Sequence, residues 1–193
     1  MARETYLIVG LGNPGEKYAH TRHNAGFDTL TLLEEKHNLR LKKRLLLQGM
    51  TAEYTEGGKT VVLCKPLTFM NKSGLCVKRL LKRYTCGEDR LLVICDDIDL
   101  KPGAVRVRKN GGPGTHNGMR SIIGELGNGD FARIRVGTGD RPAGEDLVSW
   151  VLGRCSGEER EKMNAAFEAA AAAAEDWVRS GIDPAMQTGN RKG

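Results

Sequence analysis

Apolar residues recur along this chain with two different periods, and the switches between them predict its elements. Tyr6-Leu7-Ile8-Val9 is a short apolar run stopped by glycine, the pattern of a buried strand. From about residue 24 to 37, Phe27, Leu30 and Leu33 return every three positions, on one face of a helix. Thr60-Val61-Val62-Leu63-Cys64 is a second strand, stopped by Lys65-Pro66. A helix follows from about 73 to 84, where Val77, Leu80, Leu81 and Tyr84 stand at i, i+3, i+4 and i+7. Leu91-Leu92-Val93-Ile94-Cys95 is the most apolar run and reads as the central strand. Residues 104–108 alternate apolar and basic, so one face of that strand is wet and positive. After a glycine-rich loop at 111–114, Met119, Ile122, Ile123 and Leu126 form a helical stripe. Residues 131–136 again alternate, with arginines on one face. The last helix opens at Ser156, with Glu159 placed for a capping box, and runs through an alanine tract to Ser180, where Gly181 can close it. Residues 187–193 read as a frayed tail.

Strands alternating with helices make this an α/β chain, and its short strands at 104–108 and 131–136 admit a mixed sheet. A length of 193 residues without internal repeats fits a single domain, placed at residues 1–186. The hydrophobic fraction, 39%, is lean but enough for one core. Five cysteines, at 64, 76, 86, 95 and 155, show no C-x-x-C pair, and the histidines have no zinc-ligand spacing. Cys64 and Cys95 end apolar runs and read as small buried hydrophobes. An odd count without a framework points to a reducing, cytoplasmic setting, and neither a signal peptide nor a membrane span is expected. The net charge of +6 is compatible with a polyanionic partner, nucleic acid above all, or with ordinary solubility.

The candidate chemistry centres on His23, in Thr21-Arg22-His23-Asn24-Ala25-Gly26-Phe27 just after the turn Gly10-Leu11-Gly12-Asn13-Pro14-Gly15. A neutral imidazole takes up a proton near pH 7, which few other side chains do. Asp96 follows the central strand, and carboxyl ends of strands in open α/β sheets are where ligand crevices form. An Asp paired with His23 would fix the imidazole tautomer, leaving a general base able to deprotonate water. Side-chain amides at Asn71 and Asn117 are candidate donors to an oxyanion, though either alone reads equally as a helix N-cap. Asn13 either presents its amide to a cleft or is simply a turn residue. His20 and His37 read as surface residues. Phe69 and Met70 are more often core than substrate wall. Asp96-Asp97-Ile98-Asp99 would also suit a divalent cation, a weaker reading because a Lys-Pro-Gly turn follows. No Gly-x-Ser-x-Gly elbow is present for serine catalysis.

Gly10-x-Gly12-x-x-Gly15 formally matches the dinucleotide-binding fingerprint. That fingerprint needs a helix opening at the turn, and the segment from Glu16 to Thr21 has no apolar helical stripe. NAD binding is therefore disfavoured.

Taken together, Gly10 to Gly15, Tyr18, Thr21 to Phe27, Lys65-Pro66 to Gly74, Asp96 to Leu100, His116-Asn117-Gly118, Arg133 to Gly137 and Val151-Leu152-Gly153 resemble the bacterial peptidyl-tRNA hydrolase family over nearly the whole chain. The resemblance implies a single α/β domain with a twisted mixed β-sheet flanked by helices. It implies a monomeric, metal-independent cytoplasmic enzyme, without cofactor, that cleaves the ester between a peptide and the tRNA 3′ ribose. It makes His23 the base, Asp96 its orienting partner and Asn13 a substrate contact at the scissile bond. Tyr18, Phe69, Met70, Asn71 and Asn117 would line the cleft. Arg106, Arg108 and Arg133 would meet tRNA, with Tyr18, Phe69 and His116 near its acceptor end. Two positions depart from the family's usual pattern: Thr115 where glycine is common, and Cys95 where histidine is frequent. Neither removes a proposed catalytic group. The rivals are a non-catalytic RNA-binding protein of the same fold, a nucleotide-dependent oxidoreductase and a metal-dependent phosphodiesterase.

Overall fold

Alternation along three buried strands decides which helices cover which face of the sheet. The computed structural model describes residues 4–190. In β1 (Thr5–Gly10), Ile8 packs on one side while Leu7 and Val9 pack on the other. In β5 (Leu91–Asp97), Leu92 and Ile94 share the side of Ile8, and Leu91, Val93 and Cys95 the opposite one. Strand β4 (Lys59–Pro66) divides likewise, with Val61 and Leu63 against Val62 and Cys64. Side chains of a strand alternate between faces, so each such strand needs cover on both. Helices α1 (Ala25–Lys36) and α5 (Gly157–Ser180) bury Leu30, Leu33, Phe167 and Trp177 on the first face. On the second, α2 (Ser73–Tyr84) and α3 (Asn117–Leu126) bury Val77, Leu80, Met119 and Ile122.

The sheet has seven strands in the order β2-β3-β4-β1-β5-β7-β6. Its centre is parallel: β1 pairs with β4 and β5, and β5 with β7 (Ala132–Gly137). Both margins are antiparallel, with β2 (Lys42–Arg44) and β3 (Gly49–Glu56) on one side and β6 (Val105–Arg108) on the other. The sheet is therefore mixed, as expected. The four parallel strands all point their carboxyl ends to one edge, where residues 10–13, 66–70, 96–99 and 137–139 gather.

Several elements depart from the sequence reading. The hairpin β2–β3 was not anticipated, nor were the short helix α4 (Leu147–Val151) and the closing helix α6 (Ile182–Gly189). The tail expected to fray from residue 187 is packed as far as Asn190. Thr188 donates its hydroxyl to Asp176, and the Asn190 side chain accepts the Val107 N–H at 2.7 Å. Only residues 191–193 of that expected tail lie outside the described chain. Ser156 does sit at the N-cap of α5, but without a side-chain capping bond. The capping box is absent because the Glu159 carboxylate is taken by Arg22.

Candidate active site

At the carboxyl edge, Gly10 and Gly26 let α1 close directly onto the end of β1. A Cβ on Gly26 would sit 2.3 Å from the Leu11 nitrogen and 2.4 Å from the Ile94 carbonyl oxygen. One on Gly10 would lie 2.3 Å from the Gly26 oxygen, and one on Gly12 would enter the Phe27 ring. These glycines serve chain-to-chain contact, the use the dinucleotide fingerprint would have given to a pyrophosphate. The contact carries the 3₁₀ turn Arg22–Asn24, which precedes α1, up against the end of β5.

His23 is thereby set beside Asp96. Its Nδ1 lies 2.9 and 3.0 Å from the two carboxylate oxygens, and both residues are buried. A second imidazole shares the same carboxylate: His116 Nε2 is 2.9 Å from Asp96 Oδ1. His116 is the N-cap of α3, and its Nδ1 accepts the Met119 backbone N–H at 3.2 Å. An Nδ1 that accepts leaves the proton of neutral His116 on Nε2, aimed at Asp96. His23 in turn gives its Nδ1–H to Asp96, which leaves its Nε2 lone pair as the basic site. The two rings lie 4.8 Å apart.

Burial alone would lower the His23 pKa, but the Asp96 charge and hydrogen bond outweigh it and hold the imidazole above its ordinary 6.5. For Asp96, burial favours the neutral acid, yet the two facing imidazoles hold the carboxyl well below the usual carboxylate range.

Asn13 is fixed by a residue the sequence reading did not single out. Asn24 Oδ1 accepts the Asn13 backbone N–H at 2.8 Å, and Asn24 Nδ2 donates to the Asn13 carbonyl at 3.0 Å. The Asn13 side-chain oxygen accepts the Met70 N–H at 2.8 Å. With Oδ1 occupied, the Nδ2 end is the donor left for a ligand. Met70 is buried, whereas Phe69 before it is 52% exposed and has a left-handed φ of 58°. Such a backbone is costly for a bulky residue and marks a constrained site. Tyr18 meets Phe69 edge to face at 6.3 Å.

A cleft opens over His23, lined by Asp96, Thr115, His116 and Asn117 on one side and by Leu147, Val148 and Val151 of α4 on the other. Asn117 opens α3 instead of capping it, and its Oδ1 accepts from Arg120, which leaves its amide nitrogen to donate. Asn71 stands exposed on the 3₁₀ turn Met70–Lys72, and it, Asn13, Tyr18, Phe69 and Met70 all lie outside this lining, where Asn117 was expected and is found. Helix α4 is held by Arg22, whose guanidinium makes a double hydrogen bond to Glu159 and lies 3.6 Å over the Trp150 ring. The Trp150 indole N–H then reaches the Gly139 carbonyl at 3.0 Å.

Other expectations meet different surroundings. Arg106 and Arg108 do project from the exposed face of β6. Arg133 does not project: it is 1% exposed, and its guanidinium donates to the carbonyls of Gly111, Gly112, Gly129 and Phe131. The loops at 111–112 and 129 cover that face of β7, so alternation named the side correctly but not its depth. Arg135, on the same face, pairs with Asp97 at 3.1 Å. His20 is exposed as expected, but His37 is not free on the surface; it binds the buried Glu175 at 2.8 Å and stacks on Tyr54. Met70 is core, Phe69 is not. Within the Asp96–Asp99 stretch, Asp97 is committed to Arg135 and to the Asp99 N–H. Among the described residues, His23, Asp96 and His116 are the group whose ligand atoms come within 4.8 Å of one another. His23 Nδ1 and His116 Nε2 are both hydrogen-bonded to the carboxylate, so an ion held between these atoms would have to displace both bonds.

Comparison with known proteins agrees across the chain. Residues 7–193 match the sequence model of the family described as peptidyl-tRNA hydrolase. The peptidyl-tRNA hydrolase of Clostridium novyi is 44% identical over 185 residues, 96% of this chain and 97% of the relative. That of Syntrophomonas wolfei is 46% identical over 184 residues, covering 95% and 99%. The crystal structure of peptidyl-tRNA hydrolase from Acinetobacter baumannii superposes with a TM-score of 0.92 at 35% identity, covering 97% of this chain and 95% of that one. By its sequence, its sheet and its relatives, the chain belongs to the peptidyl-tRNA hydrolase family.

Proposed function

We propose that this chain hydrolyses the ester joining a peptide, or an N-blocked aminoacyl group, to the 3′ ribose of tRNA, with His23 as general base. The observation that carries the reading is the geometry of Asp96, which accepts from His23 Nδ1 and so leaves Nε2 free to take a proton. Water deprotonated by Nε2 adds to the ester carbonyl, and the charge moves to the carbonyl oxygen. As the tetrahedral species collapses, the protonated His23 returns its proton to the departing ribose oxygen. Asp96 stabilises the imidazolium in between without taking its proton. The Asn13 and Asn117 amide nitrogens are donors for the developing oxyanion, each worth about 10²–10³ in rate when well placed. Asn71, exposed on the turn after Phe69, positions the substrate further out. Arg106 and Arg108 meet the tRNA phosphates, and Tyr18 and Phe69 offer ring faces where its unpaired end joins the peptide.

The test is release of free tRNA from N-acetylaminoacyl-tRNA, in EDTA, with unblocked aminoacyl-tRNA as the control. Rapid release from the blocked substrate alone is expected. Binding without release would favour an RNA-binding protein that has lost catalysis, and loss of activity in EDTA would transfer the chemistry to a metal.

A further inference from the structure

We infer that the tip of the β2–β3 hairpin is a docking surface for the peptide portion of the substrate, favouring apolar and non-basic residues several positions from the ester. This rests on the functional reading above. Leu45 and Leu46 are 76% and 91% exposed, and they are two of the four large hydrophobic residues left exposed among the described residues. A third is Phe69, which meets Tyr18 and precedes Met70, the residue whose N–H is held by Asn13. The chain joins these three: the Leu67 N–H donates to the Gln48 carbonyl at 2.7 Å, so the hairpin tip lies alongside the segment leading to Phe69. The tip is anchored. Leu47, between the exposed leucines and Gln48, is buried in the core beneath α2, and Arg79 of that helix holds the Gln48 side chain. An anchored turn that presents two leucines to water is an unusual use of apolar surface.

Strand order says which part of the substrate reaches it. The hairpin stands at one margin of the sheet and the basic strand β6 at the other, with His23 and Asp96 at the central strands between them. Both margins carry exposed cations, and the exposed leucine pair is what distinguishes the hairpin, so the peptide side of the ester is assigned to the hairpin and the RNA side to β6. The three exposed cations of β2, Lys42, Lys43 and Arg44, border the leucines and disfavour basic peptides. Strand β2 lies four strand spacings from β5, about 19 Å at about 4.8 Å each, a span that about six residues of extended peptide cover.

The experiment compares wild type with Leu45→Ser/Leu46→Ser on two tRNAs, one carrying a single N-acetylated residue and one an N-acetylated apolar peptide of about six residues. Both leucines face water, so thermal unfolding should coincide for the two proteins. We expect a KM raised about five- to tenfold on the long peptide, kcat unchanged, and no change on the single residue. Lysines placed in the distal half of the peptide should bring wild type to the level of the variant. No loss on the long peptide would overturn the inference, and so would an equal loss on both substrates, which would assign the hairpin to RNA. Failure of wild type on both tRNAs would instead overturn the functional reading, and the inference with it.

Discussion

Asp96 accepts hydrogen bonds from two imidazoles, and only one of them has a nitrogen to spare. His116 spends Nδ1 on the backbone of α3, whereas His23 keeps Nε2. The pH dependence follows. Because the His23 pKa is held above 6.5, kcat/KM should rise with pH through a midpoint above that value as the neutral base forms. Asp96→Asn removes the charge that raises it and leaves the burial that lowers it, so the midpoint should fall below 6.5 while the maximal rate drops about 10²-fold or more. A pH–rate profile of both proteins checks the shift, and an unmoved midpoint would contradict it. Stability carries the same signs. The raised His23 pKa stabilises the fold below 6.5 and loses effect as pH rises through the folded value. The depressed Asp96 pKa stabilises above 3.8 and loses effect as pH falls. The stability gap between wild type and Asp96→Asn should therefore be widest between those two values. Asn24→Ala removes both bonds that hold the Asn13 backbone, and a roughly tenfold fall in kcat with unchanged tRNA affinity is expected by steady-state kinetics. His23, Asp96 and Asn13 were legible because each sits in a distinctive local motif. The Asn24 clamp and the inward turn of His116 were not, since bonds between residues 11 and 20 apart leave no periodic mark.

Elements show the same division. Helices 25–36, 73–84 and 117–126 and the central strands announce themselves through strong apolar periodicity. The hairpin β2–β3 does not: β2 is wholly exposed and β3 is mostly half-polar, so neither carries a clear apolar face. Helix α4 has five residues and no fully buried one, too short for a period to register. It depends on Arg22, a contact between distant parts of the chain. Arg22→Ala should destabilise the protein by roughly 2–4 kcal/mol in urea unfolding, because Glu159 loses its partner and Trp150 its stacking cation. Gly26→Ala is expected to cost roughly 3 kcal/mol, since the new methyl has backbone atoms of two strands' ends within 2.4 Å and nothing soft to push aside. A variant as stable as wild type in the same assay would contradict the packing described for the β1–α1 contact.

At the scale of the molecule, the mixed sheet sets the His23–Asp96–His116 cluster between two margins with exposed cations, of which the hairpin's also carries a pair of exposed leucines. The α/β class and the basic strand at 104–108 were readable from pattern alone; strand order and the depth of Arg133 were not, because alternation specifies a side and never what covers it. Arg106→Glu/Arg108→Glu should weaken tRNA binding and lower the slope of log affinity against log salt by about two, with little effect on kcat at saturation. No helix among the described residues is long and apolar enough to cross a membrane. Single-turnover release of tRNA from N-acetylaminoacyl-tRNA by His23→Ala decides whether His23 activates the water that cleaves the ester. A loss of about 10²-fold or more with tRNA affinity retained is expected; turnover equal to wild type would remove His23 from the chemistry.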